Sequence, residues 1–167
     1  MATELVAIKD GQQAVSRAFV KEDVEAFEEL PDRHISPHPN HVTQQGLTHL
    51  EAMLNLAQEA HAAAVAAEDR AARAQASREV RYWSARRASA LLIPDPTDTS
   101  QVRFGNSVTI RRADGREQTF RIVGEDEADP ARGTISYVSP LAQSLMGKCV
   151  GDFAKLGAGE VEILAIR

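Results

Sequence analysis

The stretch TQQGLTHLEAMLNLAQEAHAAAVAAEDRAARAQASREVRYWSARRASALLI, residues 43–93, decides the fold. It contains no proline, and its only glycine is Gly46, near the start. Thr43 is a natural N-cap, and Pro94 and Pro96 close the run. Fifteen of the chain's 27 alanines, 15 of 27, lie between Ala52 and Ala90; alanine at that density argues for helix rather than for a thick core. The run is too long for one surface helix of a small domain. Its apolar seam favours a hairpin. Leu47, Leu50, Leu54, Ala57, His61 and Ala64 step by three and four, and Val80, Trp83, Arg87 and Leu91 do the same. Folding the run about Glu68 and Asp69 sets Leu54 against Trp83, Ala57 against Val80 and Val65 against Ala72. Large side chains then meet small ones, as an antiparallel coiled coil requires. The turn itself, Ala66-Ala67-Glu68-Asp69-Arg70, offers aspartate as its one turn-tolerant residue.

Working outward, residues 1–40 carry Glu22, Asp23, Glu25, Glu28 and Glu29, then Pro31, Pro37 and Pro39. Acid followed by spaced prolines reads as a flexible acidic arm. Val20, Val24, Phe27 and Leu30 lie at helical spacing and allow one short helix within it. Residues 41–94 form the hairpin, and 95–101 a linker rich in Asp, Thr and Pro. Residues 102–167 read mostly as strand. Val102-Arg103-Phe104 and Val108-Thr109-Ile110 alternate, and Asp114-Gly115 is a strong hairpin turn. Thr119 to Val123, Ile135 to Val138 and Val161 to Ile166 follow as strands. Ser139-Pro140 is an N-cap with proline at the first helical position, opening a helix that Gly147 ends. The chain is therefore α+β: an antiparallel coiled-coil hairpin, then an antiparallel sheet domain with one helix.

Composition narrows the function. At 167 residues the length suggests one domain plus at most one smaller module. Its net charge of −5 argues against gripping nucleic acid through global charge. One cysteine, Cys149, excludes an internal disulfide and a multi-cysteine zinc ribbon. No stretch approaches 18 apolar residues, and Met1 to Asp10 lack a basic start followed by an apolar run, so a cytoplasmic protein without a membrane partner is expected.

Several stretches together resemble the Gre family of bacterial transcript cleavage and elongation factors, GreA and GreB. They are Val123-Gly124-Glu125-Asp126-Glu127-Ala128-Asp129, Ile135-Ser136-Tyr137-Val138-Ser139-Pro140-Leu141-Ala142, Leu145-Met146-Gly147-Lys148 and Gly159-Glu160-Val161-Glu162-Ile163. Pro39 to Leu47 resembles the family's opening of the coiled coil. Arg81-Tyr82-Trp83 through Ala90-Leu91-Leu92-Ile93 resembles the end of its second helix. The resemblance implies a coiled-coil finger followed by an FKBP-like domain. It implies RNA polymerase as partner, docked at the rim of its secondary channel, with acidic residues at the finger tip helping to hold a Mg²⁺ that drives hydrolysis of backtracked RNA. The family's tip signature is absent here. The hairpin is shorter by roughly 20 residues, about 15 Å of reach at about 1.5 Å per residue, which likens the chain to short-fingered relatives such as Rnk. Val15 to Glu22 resembles the opening of short Gre-like proteins, which would make Val15 an alternative start.

The candidate sites follow. Glu68 and Asp69 at the tip are the pair to assist a Mg²⁺ shared with the polymerase, since that ion is often held by one or two carboxylates. Against this stands a plain solvated turn. Arg70, Arg73, Arg78 and Arg81, with Arg86 and Arg87 beyond, give the second helix a basic face for acidic channel walls or, indirectly, nascent RNA; a solvated face paired across the hairpin is the alternative. Ser136, Tyr137, Ser139 and Pro140 form the corner that the resemblance assigns to polymerase docking. His34, His38, His41 and His49 match no zinc spacing, so no metal and no cofactor of the chain's own is expected. His61 is a core-edge residue, Cys149 a buried structural one, and Trp83 part of the coil core. The expected function is a monomeric polymerase-binding modulator of elongation without an active site of its own. The alternatives are a true cleavage factor using Glu68 and Asp69, or a coiled-coil adaptor unrelated to polymerase.

Overall fold

The computed structural model describes residues 30–157 and 159–167. The expected short helix up to Leu30, most of the acidic arm and the Val15 start lie outside them.

After an extended stretch, His41–Val42 forms a two-residue strand, β1, and the chain enters helix α1, Gln44–Ala66. Thr43 caps it, its hydroxyl accepting from the Gly46 amide. Helix α2, Arg70–Ala88, returns antiparallel after a turn at Ala67-Glu68-Asp69. The turn thus falls where the midpoint of the run places it. Leu50, Ala57 and Trp83 are buried in one cluster, with Leu54 and Val80 packed against them, as the expected pairing requires.

Two details of that pairing need correction. Val65 does not face Ala72: both are exposed, and Ala64 and Ala76 are buried instead. Leu50, Ala57 and Ala64 are seven residues apart, as are Ala76 and Trp83, so Val65 lies one position, about 100°, off the seam. On α2 the deeply buried arginine is Arg86, not Arg87, and Leu91 is exposed. The helix also stops at Ala88, before the prolines. Leu91–Leu92 forms β2, parallel to β1, and closes the base of the finger.

The second part is a five-stranded sheet. Its strands are β3 (Ser107–Arg112), β4 (Glu117–Val123), β5 (Thr134–Ser136), β6 (Phe153–Leu156) and β7 (Gly159–Ile166), in the order β5-β4-β3-β7-β6. Helix α3, Pro140–Leu145, covers one face. Alternation in β3 sets Val108 and Ile110 inward against Ile122, Ile163 and Leu145. Asp114-Gly115 turns β3 into β4, with Gly115 at φ +81°.

The sheet is antiparallel except at one edge, where β5 pairs parallel with β4, Ile122 opposite Ile135. Between them the chain makes two 3-10 turns, Glu125–Glu127 and Pro130–Arg132, and comes back in its original direction. Val102-Arg103-Phe104 is not a strand. Val102 is buried while its amide and carbonyl bond Lys148 and Gly147. Strand β6, which the sequence reading passes over, forms the opposite edge. Cys149, expected buried, is exposed in the turn after α3.

Candidate functional site

Four regions of the molecule carry the candidate residues: the finger tip, the side of α2, the corner between β5 and α3, and the junction between finger and sheet. At the tip, α1 ends with two carbonyls satisfied locally, the Asp69 amide donating to Ala64 at 3.0 Å and the Glu68 amide to Val65 at 3.1 Å. This closing geometry needs a left-handed residue, and Glu68 supplies it at φ +54°, where glycine is usual. Asp69 then starts α2, one carboxylate oxygen accepting from the Ala72 amide at 3.0 Å. Glu68 and Asp69 are both exposed and line a shallow hollow of about 300 Å³ with Val65, Arg70 and Arg73. The two carboxylates are therefore adjacent and accessible, but one oxygen of Asp69 is committed to its cap. Among the described residues no group of three or more His, Cys, Asp or Glu is placed to hold a metal ion. The tip fits the two-carboxylate share of a Mg²⁺ site and leaves its other ligands to come from elsewhere.

The expected basic face of α2 is divided. Arg70 and Arg73 border the tip hollow. Arg78 is half-buried. Arg81 donates to Asp32 at 2.6 Å and to the Leu30 carbonyl at 3.2 Å. Arg87 reaches across to Glu51 on α1 at 2.9 Å. Arg86 turns inward. The structure thus gathers Arg70 and Arg73 with Glu68 and Asp69, and separates Arg81 from them.

The corner expected to dock is built by β5 running into α3. Ser139 caps the helix, its hydroxyl accepting from the Ala142 amide at 3.3 Å, and its own amide donates to the Ser136 carbonyl at 2.9 Å. The Ser136 hydroxyl accepts from Val138. Pro140 is exposed at the first helical position. Tyr137 is half-buried. Its hydroxyl donates to the Pro39 carbonyl at 2.5 Å, and its ring packs on His41 and Phe104, with centroids 5.1 and 5.8 Å away. Burial raises the Tyr137 phenol above its ordinary pKa, and the nearby Glu125 carboxylate adds to this.

Tyr137 therefore belongs to the junction, where the sequence reading missed the main residues. The Arg86 side chain is 2% exposed, and its Nε lies 2.5 Å from the Asp126 carboxylate. Its Nη2 donates to Asn40 Oδ1 at 2.7 Å, and Asn40 Nδ2 returns a bond to the Arg86 carbonyl. The Tyr82 hydroxyl also donates to Asp126, at 2.8 Å. Burial first, and then that carboxylate, push the Tyr82 phenol up to about 12. Next along the chain, Glu127 sits over the start of α1. Its carboxylate accepts from the Thr43 amide and hydroxyl, at 3.0 and 2.5 Å, and from the Gly124 amide at 3.2 Å. A negative group there also suits the helix dipole. Gly46 makes the room: a Cβ on it would fall 2.0 Å from Glu127 Cδ. Arg121 on β4 adds bonds to Gln45 and Asp95, both at 2.8 Å. Coil and sheet domain are joined by charges that are almost fully partnered. The available signal was the Glu125-Asp126-Glu127 run, together with Arg86 one helical turn beyond Tyr82 and Trp83.

The family described as "Transcription elongation factor, GreA/GreB, C-term" matches residues 97–167. The transcription elongation factor GreB of Neisseria meningitidis serogroup A is 43% identical over 96 residues, which is 53% of this chain and 58% of that protein. The chain thus spans little more than half of that relative's length. The transcription elongation factor GreA of Chloroflexus aggregans is 34% identical over 158 residues, 77% of this chain and 98% of that protein. Among solved structures, GreA factor homolog 1 of Thermus thermophilus aligns over 78% of this chain and 99% of its own, at 19% identity and a TM-score of 0.36. Among the described residues, no helix is long and apolar enough to cross a membrane. With a relative matched over nearly its whole length and a family match across the entire sheet domain, the chain belongs to the GreA/GreB family of transcription elongation factors.

Proposed function

We propose that this chain is a monomeric, cytoplasmic regulator that binds RNA polymerase at the rim of its secondary channel and modulates elongation without strong transcript cleavage. The sheet domain docks through the corner of Ser136, Ser139 and the exposed Pro140, with Tyr137 bracing that corner from within. The finger enters the channel and brings its tip toward the nascent RNA. The chain has no active site of its own, and any hydrolysis belongs to the polymerase.

The observation that carries this reading is the finger itself. Its arms are 23 and 19 residues long, about 34 and 28 Å. They end in a tip whose Asp69 already serves as a helix cap. A second reading, a working cleavage factor, is favoured by the adjacent exposed carboxylates of Glu68 and Asp69; a Mg²⁺ shared with the polymerase would be held there.

The test is RNA cleavage by a stalled, backtracked polymerase complex, with and without the protein, alongside the Glu68→Ala plus Asp69→Ala double variant. No acceleration, together with competition against an authentic GreA, supports the modulator. Acceleration that the double variant abolishes establishes the cleavage factor instead. Failure of immobilised protein to retain polymerase subunits at moderate salt would reject both readings.

A further inference from the structure

Tyr137 belongs to two parts of the molecule at once. Its backbone is part of the corner. The Tyr137 amide donates to the Val123 carbonyl at 2.9 Å, continuing the pairing of β5 with β4, and its carbonyl accepts from the Gln143 side chain of α3 at 2.7 Å. Its side chain is part of the finger's foot. The hydroxyl donates to the Pro39 carbonyl at 2.5 Å, and that carbonyl also accepts from the His41 amide at 2.9 Å. The ring lies against His41 with the planes 31° apart, and meets Phe104 nearly edge-on at 75°. His41 and Phe104 are themselves 5.9 Å apart, so the three rings meet pairwise.

His41 is where the finger begins. It pairs with Leu91 across β1 and β2, which tie the start of one arm to the end of the other. Its carbonyl is pressed onto the sheet domain: a Cβ added to Gly124 would fall 2.5 Å from it. The other grips of the sheet domain lie higher, on the helices and the α1 cap. Asp126 and Glu127, neighbours in one turn, hold Tyr82, Arg86 and Thr43. Arg121 reaches Gln45 through an exposed bond between two long side chains. A rod gripped at one turn can still tilt about it, and a stiff contact at its foot removes the tilt. An aromatic side chain suits that task, since it has only two torsions to fix.

We propose that Tyr137 is a positioning residue that sets the angle between the docking corner and the finger, and so aims the tip. The inference rests on the reading of the corner as the docked surface and of the finger as the inserted element. Its leverage is large. On a finger about 34 Å long, a tilt of about 5° at the foot moves the tip by about 3 Å. A group that must meet a reacting centre can lose about 100-fold from a misplacement of about 1 Å.

The test uses the full chain carrying Val65→Cys, with spin labels there, near the tip, and on Cys149, the chain's one natural cysteine, exposed in the sheet domain. Double electron–electron resonance reads the distance between them, and circular dichroism reads the helices. With Tyr137 in place the distribution is single and narrow. Tyr137→Ala, which removes ring and hydroxyl, shifts or broadens it by about 3 Å, and Tyr137→Phe, which keeps the ring, falls between. Elongation by polymerase is then followed at saturating protein, so that weaker docking does not enter. There the maximal effect of Tyr137→Ala falls by more than about twofold, and Tyr137→Phe recovers part of it. An unchanged distance distribution in Tyr137→Ala overturns the proposal. So does a broadened one whose maximal effect equals that of the unaltered protein. Where Tyr137→Ala loses helix, Tyr137→Phe decides alone, and a distribution identical to the unaltered one overturns the proposal. Unaltered protein that leaves polymerase unbound refutes the docking reading instead, and the distances still decide whether Tyr137 sets the angle.

Discussion

Replacing Arg86 by Met should cost more than any other single change in the finger. The guanidinium is 2% exposed and bonds Asp126 at 2.5 Å and Asn40 at 2.7 Å. Methionine fills most of the volume, so packing changes little. What remains is the Asp126 carboxylate, its side chain 9% exposed, with the Tyr82 hydroxyl alone against it among the described residues. Removing one partner of a buried pair typically costs about 3–5 kcal/mol, because the other charge stays in low dielectric. For a chain of this size that corresponds to a fall in Tm of about 6–20 °C. Adding Asp126→Asn removes the orphaned charge while keeping an acceptor for Tyr82, and should recover at least about 1.5 kcal/mol. Urea unfolding followed by Trp83 emission measures all three proteins, since Trp83 lies one turn before Arg86 in the finger core. A loss below about 1 kcal/mol in the single variant, or no recovery in the double, would refute the argument that this pair is buried and joins the two parts.

Three further outcomes are expected. Gly46→Ala drives a methyl into the Glu127 carboxylate and breaks its three bonds at the start of α1; after the gain in helix propensity it should cost about 1–3 kcal/mol, measured by thermal melting, and much less once Glu127 is also Ala. Glu68→Gly relieves a left-handed backbone at φ +54° and should stabilise the protein by about 0.5–1 kcal/mol, seen as a rise in the urea midpoint; a loss would mean that the glutamate makes a compensating contact. Tyr82 should titrate near 12 in the folded protein, followed by tyrosinate absorbance. Because the phenol's pKa is raised on folding, its contribution to stability is intact below the ordinary value of 10.0 and is lost as pH climbs through about 12; Asp126→Asn should lower the folded value.

How the finger and the sheet arise was largely legible in the residues. Alanine density, the absence of proline and a seven-residue seam are local properties, and they specify two helices and the place of the turn even though the turn lacks glycine. The sheet's alternation, the Asp114-Gly115 turn and the Ser139-Pro140 cap are equally local. The errors occurred where a choice depended on a partner in space. The seam of threes and fours already places Ala64 on the buried face, but setting Val65 against Ala72 presumes a cross-helix contact that only the packing of α2 decides. A parallel edge such as β5 depends on the path of a connection, which periodicity does not encode. Cys149 is exposed because of where the turn after α3 lies.

The sequence by itself determined which segments are helix and strand, because capping, propensity and periodicity act within a few residues. It also pointed to the family, and it put two carboxylates at the turn. Tertiary structure alone decided what the charges do. Asp126, Glu127, Arg86 and Arg33 read as ordinary surface residues in a chain rich in both signs. They become a junction and a set of contacts along α2 only when folding brings together residues 40 to 84 positions apart. An ion pair's strength depends on distance and on the water excluded around it, and neither quantity exists until the chain has folded.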